Sequence, residues 1–73
     1  MYCRYRFSVR LGNQFIFEKY FPSINQMLKT SYYFDFKNTD LYMQAYDDVT
    51  DRIFSHSMLI DLGKELVNDK ILF

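Results

Sequence analysis

The chain has 73 residues, nine acidic and nine basic side chains, one cysteine and one histidine. A chain of this length forms a single domain (1–73), and such a domain buries only about 60% of the surface that its unfolded chain exposes. Cys3 has no second cysteine for a disulfide, and Cys3 with His56 supplies too few ligands for a four-ligand zinc site. We therefore expect neither a metal nor a cofactor.

Aromatic side chains must supply much of the core. Eight Phe and seven Tyr, with no Trp, make up 21% of the residues. Each ring can bury about 150–250 Å², and a domain this small cannot hide them all. We therefore expect several rings to lie at the surface or in an interface with another molecule.

Residues 2–11 alternate strictly, which predicts a strand with one buried and one solvent-facing side. The inward set is Cys3, Tyr5, Phe7, Val9 and Leu11, and the outward set is Tyr2, Arg4, Arg6, Ser8 and Arg10. The turn pair Gly12-Asn13 and the β-rich run 15–21 then predict an antiparallel hairpin.

The register of this hairpin depends on the length of its loop. A loop made only of the glycine–asparagine pair places Phe15 and Phe17 on the arginine side of the first strand. A three-residue loop, 12–14, places them beside Leu11 and Val9 instead. We favour the longer loop, because it keeps both phenylalanines on the apolar side.

Residues 23–30 are predicted to form a short helix after Pro22 ends the second strand. Ser23 and Gln26 have the spacing of a capping box, and an i, i+3, i+4 apolar stripe follows. The run 32–36 returns to β character and predicts a third strand.

The segment 39–55 fits two structures. As a helix, it presents a stripe at spacings of four, three and four, made by Tyr42, Tyr46, Val49 and Ile53. As a strand, it alternates Leu41, Met43 and Ala45 with Tyr42, Gln44 and Tyr46. We favour the helix, because its stripe persists over 42–53.

An apolar pattern over 58–67 predicts a terminal helix, which Gly63 weakens by about 1 kcal/mol relative to Ala. The predicted fold is therefore α+β. A small antiparallel sheet, made by the N-terminal hairpin and a third strand, packs against two or three helices in the order ββαβαα.

The charges are unevenly placed along the chain. Residues 1–37 hold six basic and two acidic side chains, whereas 38–73 hold three basic and seven acidic ones. Either the two halves complement each other within the molecule, or one charged side meets a charged partner.

The sequence shows no catalytic constellation, so we expect a protein that is not an enzyme. Two isolated glycines cannot build a phosphate-binding loop. Cys3 falls on the predicted buried side of a strand, where a thiol is usually inert. We expect His56 to be a solvated junction residue. The acids 47, 48 and 51 lack the spacing of a calcium loop and predict a solvated helix side.

The arginine side of the first strand is the strongest candidate for contact with a partner. Arginine and tyrosine are enriched in protein interfaces, and the strand, if at a sheet edge, could extend its pairing into a partner. A competing site is the tyrosine stripe with its neighbouring acids. The candidate contact residues at the two sites are Tyr2, Arg4, Arg6, Arg10, Tyr42, Tyr46, Asp47 and Asp48.

The Phe-, Tyr-, Asn- and Asp-rich composition looks similar in style to that of small bacteriophage accessory proteins, many of which bind and block one host protein. This resemblance implies a non-enzymatic protein that modulates or inhibits a larger host protein. A nucleic-acid binder that uses the arginine strand is the alternative, because arginines among tyrosines resemble a base-stacking platform. A homo-oligomer is a further alternative.

We expect a cytoplasmic protein, or one that acts in a host cytoplasm, with no membrane partner. A free thiol suits a reducing compartment. Arginines 4, 6 and 10 are followed by no apolar run of seven residues, and no run approaches the length of a membrane span.

Overall fold

The computed structural model describes residues 1–34 and 39–69, with the backbone alone for 67–69. Its elements are β1 (Tyr5–Leu11), β2 (Gln14–Phe21), α1 (Ile24–Ser31), β3 (Leu41–Asp47), β4 (Arg52–Phe54) and α2 (His56–Asp69). The strands form one antiparallel sheet in the order β2-β1-β3-β4. The α+β class is confirmed, although the described elements run ββαββα rather than ββαβαα.

Strand β1 lies inside the sheet, between β2 and β3, so the idea that it forms a sheet edge is wrong. Its alternating pattern explains this position, because three successive inward residues, Tyr5, Phe7 and Val9, are buried. Leu11 belongs to the same predicted set but is exposed at the end of the strand, and Cys3 lies before the strand and is half-buried.

The hairpin combines the two registers that the sequence left open. Its loop has two residues, but a β-bulge then shifts the pairing, so that Arg10 faces Phe15 and Val9 faces Phe17. The bulge gives β2 one extra residue, Ile16. The favoured register is therefore right for Phe17 and wrong for Phe15, which lies on the arginine side.

Helix α1 confirms the helix predicted over 23–30. Ser23 is its N-cap, and the Ser23 hydroxyl accepts a hydrogen bond from the backbone N–H of Gln26 at 3.3 Å. The prediction of a strand over 32–36 is wrong for its first three residues. Backbone bonds from Tyr33 to Thr30 and from Phe34 to Ser31 continue the helical winding as a turn. The remainder, 35–36, lies outside the described residues.

The helix favoured for 39–55 is wrong, and the strand alternative is right. β3 buries Leu41, Met43 and Ala45, and it pairs with β1 along its whole length. The strand forms because the backbone of β1 needs hydrogen-bond partners on this side, which a helix could not provide. Val49 and Ile53, the other half of the proposed helical stripe, are both exposed.

Both helices pack against the same side of the sheet, which we call the covered face. The core between these layers consists of Tyr5, Phe7, Val9, Phe21, Met27, Leu28, Leu41, Met43, Ala45, Phe54, Leu59 and Leu66. Phe7 and Val9, which the alternation of residues 2–11 places inward, are fully buried. Phe17, which the favoured register places beside Val9, and Leu62 of the terminal helix are partly buried against this core.

The terminal helix predicted over 58–67 is confirmed within α2. None of the helices described for 1–34 and 39–69 is long and apolar enough to cross a membrane.

Candidate binding face

The side of the sheet opposite the helices, which we call the open face, has no described helix or strand packed on it. Cross-strand pairing arranges its side chains in three rows: Tyr20, Arg6, Tyr46 and Ile53; then Glu18, Ser8 and Gln44; then Phe15, Arg10 and Tyr42. Three apolar or aromatic residues of this face are strongly exposed, namely Phe15 at 63%, Tyr20 at 53% and Ile53 at 59%.

Arginines on β1 stack against tyrosines on β3. The Arg6 Cζ lies 5.6 Å from the centroid of the Tyr46 ring, and the Arg10 Cζ lies 4.7 Å from that of Tyr42. Each pair occupies directly opposed positions of the two strands. The predicted arginine site and its competitor, the tyrosine stripe, are therefore two halves of one surface.

His56, the first residue of α2, packs against the Tyr42 ring. The two rings are stacked, with centroids 5.4 Å apart and planes 18° apart. The backbone N–H of Met43 donates to His56 Nδ1 at 2.9 Å, so a neutral imidazole carries its hydrogen on Nε2. The expectation that His56 is a solvated junction residue is wrong, because it is half-buried and bonded.

Arg4 and Asp47 form an ion pair at the end of β3. Arg4 donates from Nε to Oδ1 at 2.9 Å and from an Nη to Oδ2 at 2.5 Å. Asp47 also accepts from the Val49 N–H and the Thr50 hydroxyl and is only 3% exposed. The hydrogen bond from Arg4, helped by those from Thr50 and Val49, holds the pKa of Asp47 well below its usual range. Both predicted contact residues are thus occupied within the fold.

The remaining predicted acids lie in the turn after β3, not on a helix. Asp48 is exposed and accepts a hydrogen bond from the hydroxyl of Tyr2. Asp51, in a left-handed backbone conformation with φ 58°, accepts from the hydroxyl of Tyr46 at 2.6 Å. Because these carboxylates hold the phenol protons, the pKa values of Tyr2 and Tyr46 are raised.

Two depressions adjoin the arginine–tyrosine stacks. A small one of about 70 Å³ is lined by Arg6, Ser8, Gln44, Ala45, Tyr46 and Ile53. A larger one of about 520 Å³ is lined by Arg10, Gly12, Asn13, Thr39, Asp40, Leu41, Tyr42 and His56. Within the described part of the chain, no three His, Cys, Asp or Glu residues come together as a metal site.

The structure divides the eight predicted contact residues into two groups. Four of them meet on the open face: Arg6, Arg10, Tyr42 and Tyr46. The other four form two bonded pairs beside its first row, Tyr2 with Asp48 and Arg4 with Asp47. Sequence reasoning missed Phe15, Tyr20 and Ile53. Tyr20 already falls on the arginine side in the favoured register, whereas Phe15 would have been found only if the bulge had been anticipated, since the bulge decides which side Phe15 faces.

Comparison with known proteins adds no relative: no family model, no curated protein and no solved structure matches this chain.

Proposed function

We propose that this is a non-enzymatic binding protein that modulates or inhibits a larger protein by docking its open face on it. The observation that carries the proposal is the composition of that face. Exposed Phe15, Tyr20 and Ile53 surround two arginines that have no ion pair among the described residues. Aromatic anchors and arginine are the side chains that most often dominate protein interfaces. The free thiol of Cys3 suits action in the cytoplasm.

The same face is less suited to single-stranded nucleic acid. A stacking platform needs accessible ring faces, whereas Tyr42 and Tyr46 already stack with arginine. The exposed rings Phe15 and Tyr20 lie roughly 15 Å apart along β2, given a rise of about 3.3 Å per residue, too far for neighbouring bases. Glu18 also lies between them and lowers the positive charge of the face.

Docking through the face is also favoured over pairing through the edge of the sheet. β2 is an edge strand of eight residues, and exposed edges can extend pairing into a partner. However, Lys19 is directed to the covered side of this strand, and the bulge at Ile16 interrupts its regular edge. Inward charges and bulges are devices that prevent edge pairing.

Charge reversals test where the partner binds. Arg6→Glu changes the centre of the first row, and Asp48→Lys is the matched control, because both residues are exposed. In affinity capture from a host lysate followed by titration of the purified partner, we expect Arg6→Glu to raise the Kd about 10- to 100-fold. Asp48→Lys should change it by less than about threefold.

Equal binding by wild type and Arg6→Glu would contradict docking through the open face. Binding of single-stranded DNA or RNA that weakens steeply with salt would replace the proposal with the nucleic-acid alternative, because counterion release makes phosphate contacts salt-dependent.

A further inference from the structure

Arg10 is held in an unusual state on the open face. Its Nε is shut off from solvent and has no hydrogen-bond partner among the described residues. A buried guanidinium N–H without a partner is unfavourable and calls for an explanation. The two terminal nitrogens also form no hydrogen bond or ion pair with a described residue, but they are not closed to solvent. The two terminal nitrogens of the Arg10 guanidinium are therefore available to donate hydrogen bonds to a ligand.

Packing holds the Arg10 guanidinium in place. The guanidinium stacks on Tyr42, and Tyr42 in turn stacks on His56 at the start of α2. Phe15 lies opposite Arg10 on the other neighbouring strand. Arg6 is held less closely, because its Cζ is 5.6 Å from its tyrosine ring, against 4.7 Å for Arg10. Arg10 is thus the better preorganised cation of the face, and less entropy is lost when it binds a ligand.

The larger depression beside Arg10 has room for a ligand group. His56 lines it and, since Nδ1 is used by Met43, Nε2 is the nitrogen left to donate. The polar residues Thr39 and Asn13 line the same depression. Among the described residues that line it, Asp40 is the one acidic side chain.

We propose that this depression binds one carboxylate, supplied by an acidic side chain of the protein partner. The carboxylate approaches Arg10 end-on and accepts from both terminal nitrogens, since Nε is closed to solvent. This inference rests on the proposed function for the source of the carboxylate, but the site itself belongs to the isolated chain.

The charges at the site favour a carboxylate over a phosphate. Among the described residues, Arg10 is the single cation that lines the depression, and Asp40 adds a negative charge nearby. One guanidinium balances a singly charged carboxylate, whereas phosphate carries more charge and is usually held by several cations or backbone N–H groups. The flat, end-on fork of an arginine also matches the planar shape of a carboxylate.

Acetate is the probe for this site. The isolated chain, labelled with ¹⁵N, is titrated with sodium acetate against sodium chloride at equal ionic strength, and the arginine side-chain resonances are followed. We expect the Arg10 signals to shift saturably with a Kd on the order of 10 mM, while the Arg6 signals move no more than they do in chloride. Arg10→Lys identifies the signal, and Tyr42→Leu, which removes the stacking ring, should weaken acetate binding several-fold.

Three results would overturn the proposal: an acetate response no larger than that to chloride, equal responses at Arg6 and Arg10, or saturable binding of inorganic phosphate without binding of acetate. The acetate titration uses no partner, so it separates the two claims. Acetate binding without any partner contact refutes the proposed function alone. Partner binding that survives Arg10→Lys, with no acetate response, refutes the carboxylate site alone.

Discussion

The two sides of the sheet are built by the same strands but are opposite in character. On the covered face, Phe7 is 0% exposed and packs against the rings of Phe17 and Phe21 at 6.1 and 6.4 Å. On the open face, its neighbour Arg6 is exposed and rests on Tyr46. Successive residues of one strand therefore face the core and the solvent in turn.

This contrast shows how a chain with no net charge can carry a charged surface. Arg6 and Arg10 of β1 form no ion pair with the described acids of the second half, most of which lie beyond the sheet. The one ion pair in the described part of the chain, Arg4–Asp47, ties the start of β1 to the end of β3. Charge pairing between the two halves of the chain therefore involves Arg4, but not Arg6 or Arg10.

Phe7→Ala should have the largest effect, because it empties the centre of the covered face. We expect a loss of about 3–5 kcal/mol, which would leave so small a domain mostly unfolded. Tyr20→Ala, on the open face, is the control and should cost less than about 1 kcal/mol. Urea unfolding followed by circular dichroism measures both. Similar losses of stability from the two substitutions would show that Tyr20 on the open face also stabilises the fold.

Asp47→Asn should have the next largest effect, since it leaves the guanidinium of Arg4 without its counter-charge. We expect the melting temperature to fall by about 5–15 °C at neutral pH. The pKa of Asp47 is lowered in the folded state, so acid favours the unfolded chain, which binds the proton more readily. The stabilisation is present above the unfolded pKa of about 4 and is lost as the pH falls below it.

The melting temperatures of Asp47→Asn and wild type, measured across this range, should therefore differ most near pH 7 and least near pH 3. A gap that stays constant with pH would mean that Asp47 stabilises the turn through its shape and not through its charge.

The sequence predicts well what depends on neighbouring residues and poorly what depends on distant ones. The alternation of β1 and the capping serine of α1 are local signals, and both predictions are confirmed. For β3, the helical stripe through Tyr42 and Tyr46 was as regular as the strand pattern. The choice was made by pairing with β1, far away in sequence, and local periodicity cannot report that contact.

The same distinction between local and distant signals holds for the candidate site. Alternation alone placed Arg6 and Arg10 on one side of a strand, and the structure keeps them there. Their stacking partners could not be assigned, because the tyrosines were expected on a helix. The role of His56 was missed for a related reason. Its bond to Met43 joins the start of α2 to an unpaired N–H of β3, and neither element boundary was known.

The smallest predicted effect concerns the two helices that pack against the covered face. Gly63 lies within α2, where Ala would ordinarily stabilise a helix by about 1 kcal/mol. A Cβ at this position would lie 3.3 Å from the hydroxyl oxygen of Tyr32, which donates to the Gly63 carbonyl. Gly63→Ala should therefore displace this hydroxyl and yield no gain in stability.

Tyr32→Phe removes the obstructing oxygen, so Gly63→Ala in that background should recover stability. We expect a coupling of about 0.5–1 kcal/mol between the two positions in a double-mutant cycle measured by urea unfolding. Gly12 shows the opposite case, since a Cβ there meets nothing within 4 Å but the backbone is left-handed at φ 60°. Additive effects of the two substitutions would show that the seam between α1 and α2 has room for a methyl group, and that close packing is confined to the sheet side of the helices.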